Sequence, residues 1–191
     1  MTRRDLTPPQ TVGPFFHGGL LPETMNVLVT GGTAGERIRI EGCVYDGDGA
    51  PVSDGLVEIW QANAAGRYRH PADRRSAPLD PAFTGFGRAG TDKRGFYWLE
   101  TIKPGRVPFD ATRTQAPHLN VLVFARGLLD HLRTRLYFDD ERTNADDPVL
   151  RLVPSPRRPT LLAKHETAED RVVYRFDVVL QGDGETVFFN L

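Results

Sequence analysis

The chain has 191 residues and a mass of 21.3 kDa, a length typical of one compact domain. Hydrophobic residues make up 39% of the sequence and charged residues 26%, which excludes a disordered or membrane-embedded chain. The formal charge of -1 gives no basic surface for nucleic acid or anionic lipid, so we expect the partner to be a protein or a small molecule.

Fifteen prolines and 19 glycines divide the sequence into short segments in which apolar and polar residues mostly alternate. Such alternation is typical of strands, because successive side chains point to opposite faces of a sheet. The pattern predicts strands over residues 36–46, 55–61, 95–102, 119–125, 134–138, 171–180 and 186–189. Strands of this number, bounded by Gly, Pro and Asp turns, favour an all-β fold, either an antiparallel β-sandwich or a barrel.

Helix signals are few, and residues near the N-terminus are irregular. Asp147 before Pro148 is typical of a helix N-cap followed by proline, and it predicts a helix of about two turns that ends before Pro154. Prolines and glycines give residues 1–35 an extended course that needs another surface. We therefore predict a strap over residues 1–35 and a β-sandwich domain over residues 36–191.

Several common functions are disfavoured by missing motifs. Residues 85–90 match the pattern G-x-G-x-x-G, but a turn and a strand are predicted after it instead of the helix that would hold a pyrophosphate. No serine lies in a nucleophile elbow, and Cys43 is the only cysteine, which excludes an internal disulfide. Pro8 and Pro9 stand where a signal peptide would be apolar, so we expect a cytoplasmic protein.

One pair of residues has the spacing of a metal-binding pair but only one of the two histidines. His118 and Asn120 are two positions apart on a predicted strand and point to the same face. A His-x-His pair in this arrangement would grip one metal ion, but the second imidazole is missing here. From these residues alone, a polar strand-end residue bonded to the backbone is the better interpretation of His118.

Several motifs together point to one family. Residues 57–68 read VEIWQANAAGRY, and they are followed by GR at 87–88, TIKPG at 101–105 and RLYF at 135–138. In these motifs the chain resembles the intradiol ring-cleavage dioxygenases. The segments TVGPF at 11–15, APH at 116–118, FARG at 124–127 and GETVFF at 184–189 extend the resemblance to the non-iron alpha chain of heteromeric members.

The resemblance implies a β-sandwich with an N-terminal strap in an oligomer of paired alpha and beta chains. The beta chain of such an enzyme carries a non-haem Fe(III) held by two tyrosines and two histidines. The implied reaction opens 3,4-dihydroxybenzoate between its two hydroxyl groups with O2 and gives 3-carboxy-cis,cis-muconate. It also implies that the strap packs on the partner chain.

The resemblance places the four iron ligands at Tyr68, Val107, His118 and Asn120. Tyr68 and His118 match the expected ligand types, whereas Val107 replaces the second tyrosine and Asn120 replaces the second histidine. An isopropyl group supplies no donor, and a neutral amide is a poor substitute for imidazole on a hard ferric ion. We therefore expect no metal or catalytic residue in this chain alone, and Fe(III) in the partner beta subunit.

The resemblance also implies a substrate pocket where the two chain types meet. Gly13 and Pro14 in the strap would form a thin, rigid wall against an aromatic ring, with Thr11 and Phe15 beside them. Arg126 would attract the substrate carboxylate, and the alternative for this arginine is a structural salt bridge.

Two other functions stay open at this point. In one, the chain is a self-sufficient dioxygenase that completes an iron site with a substitute ligand such as Tyr97 or Tyr137. In the other, it is a non-enzymatic β-sandwich interaction module without an iron-bearing partner. The matches in the strap and the tail have no connection with iron binding, and they favour the alpha-chain function.

Overall fold

The computed structural model describes residues 19–21, 24–168 and 171–190. The strands are β1 (Arg37–Tyr45), β2 (Leu56–Trp60), β3 (Phe86–Gly90), β4 (Phe96–Ile102), β5 (Val107–Pro108), β6 (Thr114–Gln115), β7 (His118–Phe124), β8 (Leu132–Phe138), β9 (Leu162–Ala168), β10 (Arg171–Arg175) and β11 (Val178–Val179). Short 3-10 helices span Arg142–Asp146, Leu150–Leu152 and Ser155–Leu161.

Two sheets form the predicted β-sandwich. One sheet has the order β4, β1, β10, β9, with β11 paired to the end of β1, and the other has the order β9, β8, β7, β2, β3. Strands β5 and β6 form a separate two-stranded sheet. Strand β9 belongs to both sheets, because Leu162 and Ala163 pair with β8 and the following residues pair with β10. Most pairs are antiparallel, whereas β1–β10, β1–β11 and β8–β9 are parallel.

The core lies between these sheets and is filled by side chains from both of them. Ile40 and Leu99 enter it from one sheet, and Ile59, Leu119 and Leu136 enter it from the other, each at most 1% exposed. Burial of one such aliphatic side chain contributes about 1.5–3 kcal/mol. The alternating pattern that predicted these strands therefore marks the residues that join the two sheets.

The predicted strands agree with β1, β2, β4, β7 and β8, and the two predicted segments that differ from the structure lie near the C-terminus. The strand predicted over 171–180 is divided into β10 and β11, because the Asp177 side chain accepts a hydrogen bond of 2.8 Å from the Cys43 backbone. Residues 186–189 do not form the predicted strand; their hydrogen bonds are isolated, such as Phe189 N to Arg133 O at 2.7 Å, and make no ladder. Strands β3, β5, β6 and β9 were not predicted.

The helix predicted after Asp147 is shorter than expected, and its N-cap residue is Val149 instead of Asp147. The Asp147 side chain nevertheless binds the backbone at the start of this segment. Asp147 Oδ1 accepts hydrogen bonds from the backbones of Val149 and Leu150 at 2.9 and 2.7 Å. The segment then forms one 3-10 turn over Leu150–Leu152 in place of two α-helical turns. None of the helices in the described residues is long and apolar enough to cross a membrane.

Residues 25–28 connect the edges of the two sheets. Arg88 N in β3 donates to Met25 O at 3.0 Å, and Leu28 N donates to Glu100 O in β4 at 2.8 Å. The Leu28 side chain is buried in the core. We call residues 25–28 the edge segment. Contact between the strap and a partner chain stays a prediction.

Candidate functional site

Tyr68 lies on a loop after β2, and a tight turn sets its position. The buried Asn63 side chain accepts hydrogen bonds from Ala65 N at 3.0 Å and Arg67 N at 2.9 Å. Gly66 completes the turn with φ +75°, a conformation that favours glycine. A Cβ atom at Gly66 would lie 2.0 Å from the Arg106 carbonyl oxygen. This close approach brings Tyr68 and Val107 to the same side of the molecule.

Asn120 forms a direct hydrogen bond with Tyr68. The β2–β7 register places Asn120 opposite Trp60, and Asn120 Nδ2 donates to Trp60 O and to Tyr68 Oη, each at 3.1 Å. The Trp60 and Tyr68 rings are stacked with centroids 5.8 Å apart. Burial raises the pKa of Tyr68, so the phenol is neutral near pH 7.

Tyr68 and Val107 line one cavity of about 680 Å³ that is a shallow cleft, widely open to solvent. The other lining residues are Trp60, His70, Ala72, Asp73, Arg74, Arg75 and Pro108. Tyr68 N donates to Asp73 Oδ2 at 2.9 Å, and Arg75 Nε donates to Asp73 Oδ1 at 2.7 Å. The Arg75 guanidinium holds the pKa of Asp73 well below its usual range.

His118 lies on β7 with Asn120 but is not part of the cavity wall. Its side chain is buried, its Nδ1 lies 2.8 Å from the Ala116 carbonyl oxygen, and its ring is 5.7 Å from the ring of Tyr137. Burial lowers the pKa of His118 to about 4, so the imidazole is neutral near pH 7. This arrangement agrees with the backbone-bonded histidine that the residues alone suggested.

The residues at the four family positions do not fit a ferric ion. Val107 has no donor atom, and the Tyr68 hydroxyl accepts a hydrogen bond from the neutral Asn120 amide, which stands where a second imidazole would be needed. Ferric iron favours a phenolate oxygen and imidazole nitrogen in this setting. Within the described part of the chain, no group of three or more His, Cys, Asp and Glu side chains could hold a metal ion.

The two tyrosines considered as substitute ligands are engaged elsewhere. The Tyr97 hydroxyl donates to the Phe176 carbonyl at 2.6 Å inside the core. The Tyr137 hydroxyl donates to Asp147 Oδ1 at 3.1 Å and accepts from Arg135 Nη1 at 3.3 Å.

Arg126 is not brought to the cavity of this chain. It follows the end of β7, at the opposite end of the strand from His118, and it forms an ion pair with Asp54. Its side chain is 74% exposed. The structure thus contains the salt bridge that was the alternative, and a substrate role for Arg126 stays a prediction. Thr11, Gly13, Pro14 and Phe15 lie outside the described residues.

Sequence reasoning missed the loop that forms one side of the cavity. Asp73, Arg74 and Arg75 were not singled out, although residues 67–75 read RYRHPADRR, a local excess of arginine in a chain of near-zero net charge. That excess is the signal that could have drawn attention to this loop.

Comparisons with known proteins agree with the fold. Residues 12–182 match the family described as Dioxygenase. The chain is 48% identical to the protocatechuate 3,4-dioxygenase alpha chain of Burkholderia cepacia over 100% of both chains. It is 38% identical to the beta chain of that organism's enzyme, covering 93% of this chain and 76% of the beta chain.

A solved structure shows the same architecture. The dioxygenase domain of a dioxygenase carbohydrate-binding protein fusion from Streptomyces sp. SirexAA-E has a TM-score of 0.63 and 29% identity, covering 93% of this chain and 99% of that one. The family match, the relatives and the shared fold lead to one conclusion: this chain belongs to the intradiol ring-cleavage dioxygenases.

Proposed function

We propose that this chain is the alpha subunit of a heteromeric protocatechuate 3,4-dioxygenase. One observation carries the proposal: the Tyr68 phenol is hydrogen-bonded to an amide, Asn120, where an iron-binding chain needs a second imidazole. The 48% identity with an alpha chain over the full length supports the same assignment. In this function the chain lacks the full Fe(III) ligand set and needs an iron-bearing beta subunit.

The proposed reaction cleaves 3,4-dihydroxybenzoate with O2 to 3-carboxy-cis,cis-muconate. Fe(III) held by the beta subunit would supply the activation of the catechol and O2. This chain would form part of the pocket at the subunit interface, where Gly13 and Pro14, flanked by Thr11 and Phe15, would orient the ring and exclude water. Separately, we expect the protein to be cytoplasmic.

The proposal is tested by native mass spectrometry and iron analysis of the complex isolated through a tag on this chain. We expect equal numbers of this chain and a homologous partner, with one iron per pair. A homo-oligomer with one iron per chain would show instead that the chain is itself the dioxygenase. Iron-free material without such a partner would favour the interaction module.

A second measurement tests the substrate role of Arg126. We expect Arg126→Ala to lower kcat/KM for 3,4-dihydroxybenzoate roughly tenfold, because a guanidinium–carboxylate contact is lost, while iron content stays the same. The effect should disappear with catechol, which has no carboxylate. Asp54→Ala breaks the same salt bridge and keeps the arginine, so an equal loss in that variant would assign the effect to the bridge. Unchanged kinetics in Arg126→Ala would rule out a substrate role.

A further inference from the structure

The cavity beside Tyr68 has the size and walls of a small-molecule site. Its volume of about 680 Å³ lies within the range of ligand pockets in proteins, roughly 300–1,000 Å³. Its apolar surface comes from the stacked Trp60 and Tyr68 rings and from Val107 and Pro108. Aromatic and branched walls of this kind favour a flat, apolar ring.

The cavity also offers a cation that the fold does not use. Arg75 is committed to Asp73, with Nε 2.7 Å from Oδ1. Arg74 lines the same cavity and is exposed, and it makes no hydrogen bond or ion pair with the rest of the described chain. Because Asp73 is already neutralised by Arg75, the Arg74 guanidinium leaves a net positive charge at the cavity wall. A carboxylate is the group that a guanidinium recognises best.

Tyr68 adds a directional hydrogen-bond donor. Its oxygen accepts from Asn120 Nδ2 at 3.1 Å, and no acceptor for its own proton lies among the described residues. A hydroxyl group can donate one hydrogen bond while it accepts another. The hydroxyl of Tyr68 can therefore donate to an oxygen atom of a bound molecule.

We propose that this cavity binds a planar aromatic carboxylate without a metal ion. The ring would lie beside Trp60 and Tyr68, the carboxylate would pair with Arg74, and a ligand oxygen would accept the Tyr68 proton. The binding is non-covalent and needs neither iron nor a partner subunit, so it goes beyond the proposed function and does not rest on it. It would give each copy of this chain a ligand site separate from an iron centre in a partner.

The probe is 4-hydroxybenzoate, which has one hydroxyl group and so is not a catechol, and binding is measured by calorimetry on the protein as purified. We expect one site per copy of this chain that Arg74→Ala weakens about tenfold or more and Tyr68→Phe roughly fivefold. The neutral 4-hydroxybenzamide should also bind at least about tenfold more weakly, because it lacks the charge.

Arg69→Ala is the matched control. Arg69 lies on the same loop, but it donates to Pro81 O at 3.0 Å and does not line this cavity. We expect the affinity of the Arg69→Ala variant for 4-hydroxybenzoate to stay within about twofold of the affinity of the unmodified chain. Equal weakening by Arg69→Ala and Arg74→Ala would overturn the proposal, because it would indicate a general effect of charge.

The number of sites separates this cavity from an iron centre. If an iron-bearing partner co-purifies, two ligands should bind per pair, and Arg74→Ala should weaken one of these sites about tenfold or more and leave the other unchanged. The absence of any site sensitive to Arg74→Ala would overturn the proposal, whatever the partner does. Conversely, a chain isolated without that partner would contradict the proposed function, and the cavity should still bind the probe.

Discussion

Gly66→Ala should lower the free energy of unfolding by at least about 3 kcal/mol. The residue has φ +75°, where a side chain costs roughly 1–2 kcal/mol, and its Cβ would lie 2.0 Å from the Arg106 backbone oxygen. The position of a Cβ atom is fixed by the backbone, and the atom that it would meet is a backbone oxygen, so a rotamer change cannot relieve the clash. Relief requires the two loops to separate, which would also move Tyr68 away from Val107. Urea unfolding and binding of 4-hydroxybenzoate would measure both effects.

Gly127→Ala is the matched control for Gly66→Ala. Gly127 also has a positive φ, +86°, but nothing lies within 4 Å of a Cβ atom built there. We expect this variant to lose only about 1–2 kcal/mol, from backbone strain alone. Equal losses of stability in Gly66→Ala and Gly127→Ala would contradict the prediction. They would show that the backbone at Gly66 and Arg106 can move apart at little cost.

Asp147→Ala should have the second large effect, a loss of about 3–5 kcal/mol. The Asp147 carboxylate is fully buried and accepts hydrogen bonds from Ala116 N at 2.7 Å, Tyr137 Oη at 3.1 Å, Val149 N at 2.9 Å and Leu150 N at 2.7 Å. Alanine would leave these donors unpaired, and each lost bond costs about 1 kcal/mol or more. For a chain of this size we expect the melting temperature to fall by roughly 10 °C.

The neighbouring Asp146→Ala variant controls for the loss of a carboxylate in the same turn. The Asp146 side chain is 76% exposed and forms an ion pair with Arg151 at 2.9 Å. An exposed pair contributes about 0–1 kcal/mol, so the melting temperature should change by no more than about 3 °C. Similar melting temperatures for Asp146→Ala and Asp147→Ala would contradict the structural role assigned to Asp147.

The strands that could be predicted are those whose own residues carry a strand pattern. In β1, apolar residues alternate with polar ones, and that alternation matches the buried face, whereas β7 ends in a short run of apolar strand-forming residues. Strand β9 reads LAKHETA, and its Ala, Lys and Glu residues have little strand preference. Its structure follows from pairing with β8 and β10, the strands on either side of it, and this pairing cannot be read from the segment itself.

The candidate site shows the same limit. The family motifs indicated that Tyr68, Val107, His118 and Asn120 should be considered together, and the structure places His118 outside the cavity wall. The salt bridge between Arg126 and Asp54 depends on the β2–β7 register, which sets Leu56 opposite Phe124. Pairings of this kind arise from tertiary structure, so spacing along the chain gave no indication of them.

The edge segment, residues 25–28, affects how the N-terminus can be studied. It occupies hydrogen-bonding positions on β3 and β4, the strands whose other sides pair with β2 and β1. An uncovered strand edge is a template for joining another molecule, edge to edge. A truncation that removes residues 25–28 would uncover two such edges and take Leu28 out of the core, inviting aggregation. Deletions made to study residues 11–15 should therefore end before Thr24, so that insolubility is not mistaken for failure to assemble.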